Sequence, residues 1–135
     1  MHEHFEHTAD LGLRATAADL DTLFAEAAEC LFEAIVELSA VKPNQSVEVA
    51  LTGSDREYLL FDWLRELLRL ADQDRMLFSK FKVHVNDDGL IGTAWGEPLD
   101  AGKHELIREV KAITYHELKV EPHDGGWLAE VIVDI

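Results

Sequence analysis

The stretch Ser46-Val47-Glu48-Val49-Ala50-Leu51-Thr52-Gly53-Ser54-Asp55-Arg56-Glu57-Tyr58-Leu59-Leu60-Phe61-Asp62-Trp63-Leu64-Arg65-Glu66-Leu67-Leu68-Arg69-Leu70-Ala71 changes its hydrophobic period partway along. Up to Thr52, Val47, Val49 and Leu51 share one face while Ser46, Glu48 and Ala50 share the other, the period-two signature of a half-buried strand. Beyond Gly53, Leu60, Trp63, Leu64, Leu67, Leu68 and Ala71 recur at helical spacing, with Asp62, Arg65, Glu66 and Arg69 on the opposite side. Ser54 and Glu57 have capping-box spacing, in which the Ser side chain and the Glu satisfy each other's free backbone N–H groups. The helix is therefore expected to start at Ser54. Strand followed by amphipathic helix is the pattern of a layered α and β protein.

Working outward, residues from about Phe5 to Ala17 read as a strand or strand pair. Asp19 then caps a helix whose apolar positions are Leu23, Phe24, Ala27, Leu31, Ile35 and Leu38. On the other side, Phe81, Val83 and Val85 alternate up to Asn86-Asp87-Asp88-Gly89, whose Asp-Gly pair suits a hairpin turn, and Leu90 to Trp95 returns. Ile113 to Val120 and Trp127 to Ile135 flank Asp124-Gly125-Gly126, a second turn whose glycines accept positive φ. The expected fold class is α+β, a largely antiparallel sheet with two helices packed on one face. With no repeat, low-complexity tract or Pro/Gly-rich linker, residues 1–135 read as a single domain.

Twenty-seven Asp and Glu against twelve Lys and Arg give a formal charge of -15. Such a surface repels phosphate backbones and anionic headgroups, so direct nucleic-acid binding and membrane association are not expected. A cation or a basic protein partner is the natural complement, although acidic surfaces also serve solubility alone. Cys30 is the single cysteine, which excludes an intramolecular disulfide, and its apolar helical neighbours make it a core thiol. The opening Met1-His2-Glu3-His4 carries no basic region followed by an apolar run, and no stretch approaches membrane-spanning length. A cytoplasmic location is the expectation.

Few residues carry legible chemistry. Trp127, Ala129, Val131, Val133 and Ile135 continue an alternating apolar face to the last residue, so the end of the chain is expected to be ordered. The Asp134 side chain and the Ile135 carboxylate are then two anionic oxygen ligands side by side, half of a site for a hard cation such as Ca²⁺ or Mg²⁺. The third ligand is not legible from these residues. His2, His4 and His7 resemble a transition-metal cluster, but without a fixed scaffold adventitious binding is the simpler reading. His104-Glu105 begins like the zinc-protease helix, yet the second histidine position is Arg108. There is no Gly-rich phosphate loop and no nucleophile elbow. The charged segment Lys103 to Lys111 reads as a solvated loop, or alternatively as an interaction loop with Glu109 and Lys111 on its rim.

Several short stretches, in this order and spacing, resemble the archease family across essentially the whole chain: His7-Thr8-Ala9-Asp10, Ala94-Trp95-Gly96-Glu97, His104-Glu105, Glu109-Val110-Lys111-Ala112-Ile113-Thr114-Tyr115-His116 and Asp134-Ile135. The resemblance implies a non-catalytic accessory factor of an RtcB-type tRNA-splicing RNA ligase, which joins RNA ends after a ligase histidine is guanylylated with GTP. Such a factor promotes guanylylation and repeated turnover and can broaden the nucleotide triphosphates the ligase accepts. The resemblance further implies a divalent-metal site at Asp10, Asp134 and the main-chain carboxylate of Ile135, Ca²⁺ being the first choice and Mg²⁺ the second. It marks Lys111 as a functional candidate, followed by His104, Glu105 and Glu109. Two rival functions are a general chaperone or modulator of RNA-processing proteins, and a small metal-dependent hydrolase with His104 as base.

Overall fold

In the computed structural model, which describes residues 1–7 and 9–135, the chain runs through β1 (His2–His7), β2 (Asp10–Ala17), α1 (Leu20–Ile35), β3 (Gln45–Thr52), α2 (Arg56–Gln73), β4 (Met76–Asn86), β5 (Gly89–Pro98), β6 (Ala112–Ile113), β7 (Lys119–His123) and β8 (Gly126–Asp134). Every ladder is antiparallel and the class is α+β, as expected. The strands divide between two sheets, however. One has the order β1-β2-β8, with β6 and β7 sharing the far edge of β8; the other has the order β3-β5-β4.

Helix α1 packs against β2 and β8 of the first sheet and against β4 of the second, and α2 touches strands of both. This double coverage explains why α2 buries more than its single apolar stripe: Leu59, Phe61 and Leu70 are buried beside Leu60, Trp63, Leu64, Leu67 and Leu68. Trp63 is fully buried, and its indole N–H donates to the Phe24 carbonyl at 3.2 Å, locking α2 to α1. The buried residues of both helices and both sheets form one hydrophobic cluster.

Local signals were resolved by hydrogen bonding. Asp19 caps α1, accepting from the Thr22 N–H at 2.7 Å. The cap of α2 is Asp55, not Ser54: its carboxylate accepts from the N–H groups of Glu57 and Tyr58 at 3.0 and 3.1 Å, so it satisfies two orphan donors where a hydroxyl one residue earlier would be off the helix axis. In the β4–β5 hairpin Asn86 pairs with Gly89, leaving Asp87 and Asp88 at the turn, and the Asn86 side chain accepts from the Asp88 N–H. Gly89 thus opens β5 instead of occupying the turn. The β7–β8 turn uses positive φ at both Asp124 (48°) and Gly125 (80°), the twist that two-residue hairpin loops favour.

The strand expected from Ile113 to Val120 is interrupted. Between Ile113, opposite Val133, and Lys119, opposite Glu130, the chain has five residues where β8 has two. The surplus leaves the ladder as a turn in which the Leu118 N–H donates to the Tyr115 carbonyl, Glu117 takes φ 53°, and Tyr115 stacks on Phe61 of α2 with ring centroids 3.8 Å apart.

The charged segment after β5 is not a loose loop. Ile107 N–H donates to the Ile35 carbonyl at 2.7 Å and Arg108 to the Ala34 carbonyl at 2.9 Å, capping the C-terminal end of α1 with donors and a cation. Its start is held by Glu97, whose carboxylate accepts from Lys103 Nζ at 2.7 Å, from the Lys42 N–H at 2.8 Å and from His104 Nε2 at 3.0 Å. The other His104 nitrogen, Nδ1, accepts from the Asp100 N–H at 3.0 Å, which fixes the tautomer that donates to Glu97.

Two outcomes are expected. In chemical denaturation Asp55→Ala should lose about 1 kcal/mol while Ser54→Ala changes stability by only a few tenths; equal losses would return the cap to Ser54. The Lys103 ammonium, with the Lys42 N–H and His104, holds the Glu97 carboxyl down at about 2 from its ordinary value near 4.5. The folded state therefore binds fewer protons than the unfolded one between these values, and the stability Glu97 contributes is present above about 4.5 and lost as pH falls toward 2. Unfolding of wild type and Glu97→Gln across that range should show the two converging at low pH; a constant gap would contradict this.

Candidate metal-binding tip

The last paired residues of β2 and β8 at one end of the sheet are Leu11 and Val133. The next residue on each strand is Asp10, half-buried, and Asp134, exposed, so the antiparallel register carries both carboxylates to the same end of the sheet. Residues opposite one another in such a ladder share a face. On the far edge of β8, Ala112 pairs with Asp134 and the Lys111 N–H donates to the Asp134 carbonyl at 2.7 Å. Lys111, separated from Asp134 in the sequence, is thereby held by its backbone next to it. Its side chain is exposed; the lysine ion pairs among the described residues belong to Lys103 and Lys119. Ile135 follows directly, 38% exposed.

This end of the sheet carries the carboxylates of two aspartates, with Ile135 directly following the second. Anionic oxygens on neighbouring strands repel each other unless a cation shares them, and hard divalent ions prefer such donors over nitrogen or sulfur. The donor set therefore suits Ca²⁺ or Mg²⁺. Thr8 of the His7-Thr8-Ala9-Asp10 stretch lies outside the described residues.

The remaining sequence candidates sit elsewhere. His104 is buried, with both ring nitrogens engaged by Glu97 and Asp100, so it braces the loop. Glu105 is exposed on a depression bordered by Glu37, Lys103 and Ile107. Glu109 lines a groove with Asp72, Arg75 and Arg108; burial first, and the Glu109 charge second, push the Asp72 carboxyl above its ordinary value. Burial pushes the Cys30 thiol up to about 12, as befits an unreactive core thiol.

The three N-terminal histidines point to three different partners. His2 meets Glu26 and Glu33, His4 bonds the Cys30 carbonyl at 2.9 Å, and His7 meets Glu117 at 3.0 Å. The cluster suggested by their spacing does not exist as a unit: His2 and His4 share the strand face turned to α1 but bond different residues of it, while His7, of opposite parity, projects away from them to Glu117. What the sequence did not single out is Glu117, which returns with His116 to the His7 end of β1. Since His7 pairs with Asp10, this group adjoins the aspartates. No local spacing announces it; only the surplus residues between β6 and β7 bring it there.

Residues 2–135 match the model of the Archease protein family (MTH1598/TM1083). The chain is 44% identical to protein archease of Sulfurisphaera tokodaii and 44% identical to that of Methanopyrus kandleri, covering 98% of this chain and 97% and 98% of theirs. Among solved structures it resembles protein 1598 of Methanobacterium thermoautotrophicum, with a TM-score of 0.88, 43% identity and coverage of 99% and 98% of the two chains. An archease from Thermotoga maritima, described as a possible chaperone, shares the fold at a TM-score of 0.67 and 22% identity over 100% and 98%. With sequence and fold matched from end to end, the chain belongs to the archease family.

Proposed function

We propose that this protein acts in the cytoplasm as a non-catalytic accessory factor of an RtcB-type tRNA-splicing RNA ligase, raising its guanylylation and allowing multiple turnover. The observation that carries the reading is the register that takes Asp10 and Asp134 to one end of the sheet with Lys111 hydrogen-bonded alongside, in a chain of the archease family. Asp10, Asp134 and the Ile135 carboxylate hold a divalent cation, Ca²⁺ ahead of Mg²⁺. When bound, the cation supplies a fixed positive charge at an otherwise acidic tip. The chain's own residues orient that tip: β6 and β2 brace β8 from both edges, and Lys111 stands ready to pair with an anionic group of the ligase or its nucleotide.

The net charge of -15 favours encounter with a basic active-site cleft, and complementarity of this kind acts mainly on association rate. Chemistry stays with the partner. A hydrolase with His104 as base is disfavoured, because that imidazole is buried and both its nitrogens are already bonded. A general chaperone is the second reading, favoured by the exposed Tyr58, Leu106, Ile107 and Tyr115 and by the description of the Thermotoga maritima relative. It would protect unrelated proteins from aggregation in the absence of any ligase.

Measured as covalently guanylylated ligase, stimulation should fall sharply with Asp10→Ala and with Asp134→Ala; full stimulation by both would remove the metal site from the mechanism. Extending the chain beyond Ile135 converts its carboxylate to an amide, and titration calorimetry should then show weaker Ca²⁺ binding. Unchanged affinity in the extended protein would discard Ile135 as a ligand.

A further inference from the structure

We propose that His7, His116 and Glu117 form a second cation site, selective for a borderline transition ion of the Zn²⁺ class and distinct from the oxygen-donor site at Asp10, Asp134 and Ile135. One ligand atom from each of the three lies within 4.8 Å of the other two. His7 Nε2 is 3.0 Å from one Glu117 oxygen and His116 Nε2 is 3.9 Å from the other. Ligands of a tetrahedral zinc with bonds of about 2.0–2.1 Å are separated by roughly 3.3 Å, so the two observed separations bracket what such an ion requires.

The pairing also leaves an electron pair unused. A carboxylate only accepts, so the His7 nitrogen facing Glu117 must donate, and the neutral ring then carries its lone pair on Nδ1. That atom is buried and has no hydrogen-bond partner among the described residues. An ion bound by Nε2 and Glu117 takes the place of that proton, the ring N–H then moving to Nδ1, and no hydrogen bond at Nδ1 holds the ring in the opposite tautomer. The rings of His7 and His116 meet edge to face with centroids 5.2 Å apart. They come from the end of β1 and from the turn after β6, so an ion shared between them ties that turn to the β1–β2 end.

Two imidazoles and one carboxylate favour Zn²⁺, Ni²⁺ or Co²⁺ over Ca²⁺, which takes oxygen donors. Three protein ligands leave the fourth tetrahedral position open to water or to a donor from another molecule. The His116 and Glu117 side chains are 62% and 60% exposed, so the open side faces solvent. The site goes beyond the accessory-factor reading and does not depend on it.

The test is calorimetric titration of Zn²⁺ alone into the tag-free full-length protein, with excess Ca²⁺ present to occupy oxygen sites. His116→Ala and Glu117→Gln alter exposed side chains, and each should weaken one Zn²⁺ site by at least about tenfold with circular dichroism unchanged. Co²⁺ should give the visible absorption of a four-coordinate ion in wild type and not in either variant. Zn²⁺ affinity unchanged in both variants would overturn the proposal. So would displacement of Zn²⁺ by Ca²⁺, which assigns the ion to the oxygen site, or loss of binding on His2→Gln alone, which assigns it to His2 with Glu26 and Glu29.

Discussion

Strand β8 is the constraint on which the rest of the molecule depends. One of its edges is filled by β2 from Leu11–Val133 to Ala17–Trp127, and the other is shared by β7 and β6. Ala129, Val131 and Val133 are buried against the core while Glu130 and Asp134 belong to the other face, so a one-residue slip would turn these two carboxylates toward the core. That penalty fixes the register. Because β8 is paired with β2 up to Val133 and with β6 at Asp134, the positions of Asp10, Lys111 and Asp134 follow from core packing several residues away.

A second constraint acts on the long connection between β5 and β6. A segment rich in charge would ordinarily stay solvated, but here it meets the unsatisfied carbonyls at the end of α1, which Ile107 and Arg108 cap. Glu97, His104 and Lys103 anchor its start. The energetic logic is reciprocal: the helix end needs donors, and the loop needs fixed partners to offset the entropy of ordering it. Its consequence for function is a division of labour within one segment, from a buried brace at His104 to an exposed lysine at Lys111.

At the β2–β8 end Asp10 and Asp134 share one end of the sheet with the exposed Lys111, and His7, opposite Asp10, meets Glu117 together with His116. Nearby, oxygen donors and imidazole nitrogens offer different chemistry to different ions. The fold brings them together by the hairpin of β1 on β2, in which His7 faces Asp10, and by the turn that leaves the ladder after β6. Tyr115 stacked on Phe61 holds that turn against α2, so the histidine-bearing loop is a supported element of the surface.

Much of the architecture was legible from periodicity. The strand before Gly53, the helix after it, the Asp19 cap and the β7–β8 turn all rest on interactions between residues close in the chain, where spacing and side-chain chemistry are sufficient. The shift of the α2 cap from Ser54 to Asp55 and of the β4–β5 turn to Asp87-Asp88 shows the limit of that reading, since neighbouring polar residues compete for the same backbone groups and geometry picks the winner. The division into two sheets, the break between β6 and β7, the separation of the three N-terminal histidines and the meeting of His7 with Glu117 were decided only in three dimensions. A hydrophobic period says which face of an element is buried, but which distant residues share an end of a sheet depends on strand register, and register is set by the packing of the whole core.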